Sequence, residues 1–126
     1  MVMIHFEGVS KIYENYLALK EITLSIEKGE LVFITGPSGA GKTTLLKLIY
    51  GHERPEKGRL VVGDYDLSVI SQKEIPYLRR QIGIVFQDFR LIDTRTVFEN
   101  VAMPLRIRGL SDRDLKDLVY ESLRLV

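Results

Sequence analysis

Apolar and polar residues alternate at the start of the chain. Ile4, Phe6 and Gly8 alternate with His5, Glu7 and Val9, and Ile22, Leu24 and Ile26 alternate with Thr23, Ser25 and Glu27. A period of two puts one set of side chains on a covered face and the other in water, the pattern of a half-buried strand. Lys28-Gly29 supplies a turn after the second run, and the polar, aromatic stretch from Tyr13 to Tyr16 links the two. The pair is expected to be antiparallel and to cover one side of a core. Leu31-Val32-Phe33-Ile34 is a continuous apolar run, as expected of a strand buried on both faces. After a turn over Pro55 to Gly58, Leu60-Val61-Val62 reads as another strand ending at Gly63-Asp64. Ile82-Gly83-Ile84-Val85-Phe86 reads as a second buried strand.

Helical signals fall between these runs. Thr43 to Tyr50 is rich in good helix formers (Leu45, Leu46, Lys47, Leu48), and Gly51 is placed to end it. Ser71 with Glu74 is a capping-box start for the segment reaching Gln81, although Pro76 predicts a late or kinked helix. Thr96 with Glu99 opens a further helix that Pro104 interrupts, and Ser111 with Asp114 opens a third. In the third, Leu115, Leu118, Val119, Leu123 and Val126 follow one face of a 3.6-residue period. No Gly, Asn or Pro closes that pattern, so the chain is expected to be the N-terminal part of a longer protein.

Composition works mainly by exclusion. A length of 126 residues suits one domain or part of a larger one. Hydrophobic residues at 45% and charged residues at 28% give the balance of a soluble globular protein. The 18 Lys+Arg nearly cancel the 17 Asp+Glu, so no basic excess argues for nucleic acid. Without cysteine there is no disulfide framework and no thiolate zinc site, which is compatible with a reducing cytoplasm. No apolar run approaches the ~18 residues of a membrane span. Residues Met1 to His5 lack the basic and apolar regions of a signal peptide, so a membrane would be reached through a partner. His5 and His52 are isolated and make no ligand cluster; Arg79-Arg80, Arg106 and Arg108 read as solvated faces, and Met3 and Met103 as packing.

One motif carries chemistry. Gly36-Pro37-Ser38-Gly39-Ala40-Gly41-Lys42-Thr43 matches G-x-x-x-x-G-K-[ST], with an expected strand before it and an expected helix after it. Gly39 and Gly41 allow the backbone to turn its N–H groups inward around a β-phosphate. The helix starting near Lys42 adds its positive end. Lys42 is placed to bridge the β- and γ-phosphates, and the Thr43 hydroxyl to bind Mg²⁺ whose octahedron is otherwise filled largely by water. A glycine-rich turn with a surface lysine is the bland alternative, and it leaves the complete loop in its strand–helix setting unexplained.

With these residues in view, the chain resembles the ABC-type ATPase family over essentially its whole length. The resemblance is carried by Gly36 to Gly51, Pro55-Glu56-Lys57-Gly58-Arg59-Leu60, Gly63-Asp64-Tyr65-Asp66-Leu67, the opening Val9-Ser10-Lys11-Ile12-Tyr13 and the later Val85-Phe86-Gln87-Asp88. Within the family, Glu74 to Gly83 and Arg95 to Ala102 look most like the cell-division ATPases, which pair with an integral membrane protein. Lipoprotein-release and macrolide-export ATPases share that pattern. The implied fold is α/β: an N-terminal antiparallel β subdomain over residues 1–29, a P-loop core of ABC type over 30–87, and the start of an α-helical subdomain over 88–126. The implied cofactors are ATP and Mg²⁺. The nucleotide would be held by Tyr13 and by Gly36, Pro37, Ser38, Gly39, Ala40, Gly41, Lys42, Thr43 and Thr44.

The resemblance implies further roles. Tyr13 matches the aromatic that stacks on adenine, an interaction worth ~1–3 kcal/mol; Tyr16 is the next candidate, and an ordinary solvent-edge tyrosine the alternative. Gln87 matches the glutamine that reaches Mg²⁺ and the attacking water, and with Lys42 forms the catalytic pair present here; a surface glutamine ending a strand is the alternative. A rival reading makes Asp88, after an apolar run, the metal partner, but Gln87 intervenes and changes which way the carboxylate faces. The family's signature loop, acidic strand, catalytic glutamate and switch histidine come after the point where this sequence ends, and no Leu-Ser-Gly-Gly occurs here. The full-length protein is then expected to be an ATPase, while this chain alone binds ATP or ADP without turnover. The expected partners are a second ATPase subunit, as a homodimer, and an integral membrane subunit at the inner face of the membrane. Asp88-Phe89-Arg90-Leu91-Ile92-Asp93 either docks that subunit or packs beneath the helical subdomain. Two readings stay open beside this one: a nucleotide-binding module without hydrolysis, and a soluble ABC ATPase with no membrane partner.

Overall fold

The computed structural model describes residues 1–126 as two compact units, Met1–Gly83 and Ile84–Val126. The first contains β1 (Val2–Tyr13), β2 (Tyr16–Glu27), α1 (Lys42–Ile49), β3 (Lys57–Val62), β4 (Tyr65–Asp66) and α2 (Ile75–Arg80). The second contains α3 (Val97–Ile107) and α4 (Asp112–Arg124).

Strand order in the first unit is β2-β1-β3-β4, with every pairing antiparallel. The alternating runs pair as expected: Phe6 lies opposite Leu24 and Ile4 opposite Ile26. Tyr13 faces Tyr16 across the turn at Glu14-Asn15, where Glu14 takes φ +50°. The β1–β2 register slips between Phe6 and Val9, and nearby hydroxyls serve donors there. The Gly8 N–H donates to Thr23 Oγ1 at 2.9 Å and the Glu21 N–H to Ser10 Oγ at 2.9 Å. Irregular pairing leaves ladder groups unmatched, and a side chain that supplies the partner removes the cost. Ser10 is buried in that position.

The core lies between this sheet and two helices. Phe6, Val9 and Leu60 pack with Leu45 and Leu48 of α1 and with Ile75 and Leu78 of α2. Gly51, at φ +64°, follows α1 as the sequence predicts. The late start of α2 also follows the sequence. The Ser71 N–H and hydroxyl both donate to Glu74 Oε2, at 2.9 and 2.6 Å, and hold that carboxyl below its usual pKa. Pro76 then sits in the first turn, where a missing N–H is harmless. In the second unit both predicted caps form. Thr96 Oγ1 accepts from the Glu99 N–H and Glu99 Oε2 from the Thr96 N–H, while Ser111 Oγ accepts from Asp114. Ala102, Leu115 and Val119 make the small core between α3 and α4, whereas Leu118 and Val126 face solvent.

Three expectations fail. Leu31–Ile34 forms no strand, and Leu31 and Phe33 are 81% and 80% exposed. Residues 82–86 form none either, and Val85 is 91% exposed. A strand of a buried parallel sheet receives its hydrogen bonds and its cover from neighbours distant in sequence. The sheet here is wholly antiparallel, and neither run pairs with any of its strands. Pro104 does not interrupt α3, which runs on to Ile107. The ring deletes one helical N–H, but the capping box and the packing of Ala102 and Leu105 hold the helix on both sides of it.

Leu48 is fully buried at the centre of the first core. Leu48→Ala should therefore lower stability by about 2–5 kcal/mol, read as a shift in the urea midpoint. A shift corresponding to less than about 1 kcal/mol would show that α1 is not seated against the sheet.

Candidate functional site

The loop before α1 is shaped by three glycines, with φ of +155° at Gly36, +81° at Gly39 and +88° at Gly41. Gly41 is the N-cap of α1 and carries no side-chain cap, and no acidic residue occupies the helix's first turn. The first-turn N–H groups therefore point outward without a side-chain acceptor, at the positive end of the helix. The Gly41 carbonyl accepts the Leu45 N–H at 2.9 Å and starts the helical ladder. A Cβ on Gly41 would lie 2.5 Å from the Ala18 carbonyl oxygen and 2.7 Å from Leu19 Cδ2. Position 41 thus needs glycine twice over, for its φ and for its approach to β2.

Lys42 Nζ donates to the carbonyls of Gly36 and Pro37, both at 2.7 Å. The ammonium is tied to the start of the same loop whose amides and helix end favour an anion. A cavity of about 360 Å³ is lined by Tyr16 and residues 38–44. Thr43 is exposed in the first turn of α1, and Thr44 is half-buried beside it. This arrangement suits a phosphate chain: glycine amides, a helix N-terminus, Lys42 and the hydroxyl residues Ser38, Thr43 and Thr44 line one concavity.

The two tyrosines occupy different settings. Tyr16 lines the cavity, and its hydroxyl donates to the Gly39 carbonyl at 2.9 Å. Tyr13, its partner across the hairpin, does not line that cavity. The Tyr13 hydroxyl is buried and finds no hydrogen-bond partner in the protein. Beside it, burial works to lower the pKa of the Lys11 ammonium, but hydrogen bonds to Glu56 and Glu53 outweigh that and raise it above the ordinary lysine value.

Gln87 belongs to the second unit, and the loop residues to the first. It is exposed and opens a turn over residues 87–90. Phe89 and Arg90 in that turn take φ of +54° and +49°, and the Arg90 guanidinium lies 3.9 Å from the centre of the Phe86 ring. Asp88 is exposed and 3.7 Å from Arg90. No group of three or more His, Cys, Asp or Glu side chains comes together. The oxygen donor offered at the loop is Thr43, which fits a Mg²⁺ that keeps waters and takes phosphate oxygens. His5 Nδ1 is hydrogen-bonded to Ser25 Oγ at 2.8 Å, and His52 tilts against Tyr50 at 5.8 Å. Sequence reasoning missed the Tyr16–Gly39 bond, the Lys11 cluster and the paired positive φ at Phe89-Arg90. Only Tyr16 carried a signal, its aromatic ring in the hairpin link.

The ABC transporter family profile matches residues 19–125. Cell division ATP-binding protein FtsE of Bacillus subtilis (strain 168) is 48% identical over 125 residues, covering 98% of this chain and 55% of that protein. FtsE of Escherichia coli (strain K12) is 48% identical over 122 residues, covering 96% and 55%. Methionine import ATP-binding protein MetN 1 of Bacillus thuringiensis subsp. konkukian is 44% identical over 128 residues, covering 98% and 38%. Among solved structures, a dimeric bacterial ABC transporter cassette matches with a TM-score of 0.88 at 35% identity, over 97% of this chain and 56% of that one. CbiO1 of Clostridium perfringens, part of the ABC transporter complex CbiONQ, matches with a TM-score of 0.84 at 31% identity, over 98% and 49%. The chain spans about half the length of the curated relatives it matches. These matches bear out the α/β P-loop fold of ABC type with its antiparallel sheet followed by helices. No helix is long and apolar enough to cross a membrane.

Position 41 separates two kinds of glycine requirement. Gly39 has φ +81° but open space around it, so Gly39→Ala should cost about 1–2 kcal/mol of backbone strain. Gly41→Ala adds a collision with the β2 backbone, which no rotamer relieves, and should cost clearly more. Urea unfolding of both variants decides; equal losses would show that the contact with Ala18 does not set the loop.

Proposed function

The chain belongs to the ABC transporter family, and from that membership we propose that it is the nucleotide-binding part of an FtsE-type cell-division ATPase. The observation that carries this reading is the phosphate cradle. An uncapped helix N-terminus, a glycine that only a bare Cα can seat, and an ammonium held 2.7 Å from two loop carbonyls converge on one concavity. In this reading the loop amides from Gly36 to Thr44 hold the phosphates of ATP or ADP. Lys42 leaves its loop carbonyls to bridge the β- and γ-phosphates. Thr43 and Gln87 serve Mg²⁺, which when bound neutralises phosphate charge. Tyr13 stacks on the base, with Tyr16 the alternative because it already lines the cavity.

For the full-length protein we propose ATP hydrolysis as a homodimer at the cytoplasmic face of the membrane, coupled to an integral membrane partner of FtsX-like type. Both FtsE relatives match at 48%, against 44% for the methionine importer, which favours the cell-division branch. The segment after Gln87 supports docking. Phe89 is 72% exposed and Leu91 is also exposed, so neither is covered by the rest of this chain. In this reading none of the assigned site residues is a general base, so the chain alone is expected to bind nucleotide without turning it over. A soluble ABC ATPase without a membrane partner leaves those exposed apolar residues unaccounted for.

Lys42→Ala should weaken ATP–Mg²⁺ binding by at least the ~1.5–3 kcal/mol of a charge-assisted hydrogen bond, measured by calorimetric titration. Phosphate release by the unmodified chain should be no faster than by the variant. Unchanged affinity would overturn the assignment of the cradle. In the full-length protein, Phe89→Ala should weaken co-purification with the membrane subunit by ~2 kcal/mol or more, with melting temperature and ATP affinity near the unmodified values. A collapsed melting temperature would instead make Phe89 a core residue.

A further inference from the structure

A buried lysine sits beneath the base-stacking candidate. Lys11 is 6% exposed, on β1 two residues before Tyr13. A buried ammonium is costly unless each of its donors is met. Lys11 Nζ donates to Glu56 Oε1 at 2.9 Å and to the Arg54 carbonyl at 3.0 Å, and it forms an ion pair with Glu53 Oε2 at 3.2 Å. Two carboxylates and a carbonyl fix the position of the charge. That fixed charge lies 5.1 Å from the centre of the Tyr13 ring, within the range of a cation–π interaction.

The rest of the cluster shows what the charge is fixed to. The second oxygen of Glu56 accepts the N–H of Ile12, the residue before Tyr13, at 3.2 Å. One carboxylate thus holds both the lysine and the strand that carries the tyrosine. Glu53 and Glu56 come from the segment leaving α1, where the His52 and Glu53 N–H groups still donate to the Lys47 carbonyl, at 2.9 and 3.3 Å. Arg54 is tied down by its own bond to the Ile70 carbonyl at 2.6 Å. The helix whose first turn forms the phosphate cradle therefore ends in the clamp that holds Lys11. The Tyr13 hydroxyl, buried without a partner, gives the ring no polar anchor at its tip. The polar contact the structure gives the ring is the Lys11 cation over its face.

We propose that Lys11 is a positioning residue for nucleotide binding, holding the Tyr13 ring by its face so that the ring can stack on the base while α1 takes the phosphates. The inference rests on the reading of Tyr13 as the base-stacking ring. It assigns Lys11 no contact with the nucleotide. Because stacking does not read base edges, the effect is the same for adenine and guanine. It is absent for a phosphate chain that carries no base.

That last property separates positioning from ordinary structural support. The chain, Lys11→Met, Lys11→Arg and Tyr13→Ala are titrated by calorimetry with the Mg²⁺ complexes of ATP, GTP and tripolyphosphate. Lys11→Met should weaken ATP and GTP alike by roughly fivefold and leave tripolyphosphate unchanged. Lys11→Arg, which keeps a cation over the ring, should restore most of the loss. Equal weakening of ATP and tripolyphosphate would make Lys11 a structural ion pair and overturn the inference. Unchanged ATP affinity in Lys11→Met, with a loss in Tyr13→Ala, would also overturn it while leaving the stacking role of Tyr13 intact. Unchanged ATP affinity in Tyr13→Ala would remove the stacking reading and the inference together. Glu53 and Glu56 keep partial access to water, so Lys11→Met leaves them hydratable. Should that variant still fail to melt cooperatively, Glu56→Gln, which retains the lysine but loosens its clamp, should show a smaller loss for ATP and none for tripolyphosphate; no loss for ATP there would overturn the inference.

Discussion

The close approach of residue 41 to β2 is the contact on which the rest of the first unit depends. The backbone at position 41 comes so near the Ala18 carbonyl that any Cβ would collide with it. The first turn of α1 is therefore pressed against β2, at the edge of the sheet, instead of standing off by a side chain's width. Leu45 and Leu48 then reach Phe6, Val9 and Leu60, and the same contact sets Tyr16 within hydrogen-bond distance of Gly39. Packing and phosphate geometry are consequences of one missing side chain. A loop with the right glycines but without a sheet to lean on would keep its conformational freedom and lose its shape.

Polar groups inside this unit follow the same economy. Ser10 and Lys11 are its buried polar residues, and each has a stated partner set. Ser10 serves a backbone donor near the β1–β2 irregularity, and Lys11 gathers carboxylates and a carbonyl from the segment after α1. Neither is a lone buried charge of the kind that destabilises. Both tie the hairpin to elements distant in sequence, which keeps a long two-stranded ribbon from moving independently of the helix it covers.

Local signals were the legible part. The alternation in β1 and β2, the capping pairs Thr96/Glu99 and Ser111/Asp114, and the Ser71/Glu74 start with its delayed helix are encoded within a few residues of where they act. The phosphate loop was legible for the same reason, because its glycines and lysine are contiguous. What sequence pattern misjudged was non-local. Leu31–Ile34 and residues 82–86 have the composition of buried strands, but burial needs neighbours, and the antiparallel sheet supplies none to them. The left-handed backbone at Phe89-Arg90 was invisible because neither residue is glycine or asparagine. The Lys11 cluster was invisible because Glu53 and Glu56 lie more than forty positions away along the chain.

The bare apolar run before the phosphate loop has a colloidal consequence. Leu31, Val32, Phe33 and Ile34 present β-prone side chains to water with their backbone outside any sheet. A formal charge of +1 gives the molecules almost no mutual repulsion. Unpaired apolar edges on nearly neutral particles associate edge to edge as concentration rises. Solubility of the isolated chain is thus governed by how crowded the solution is, and the glycine loop lies immediately beside the segment through which that crowding acts.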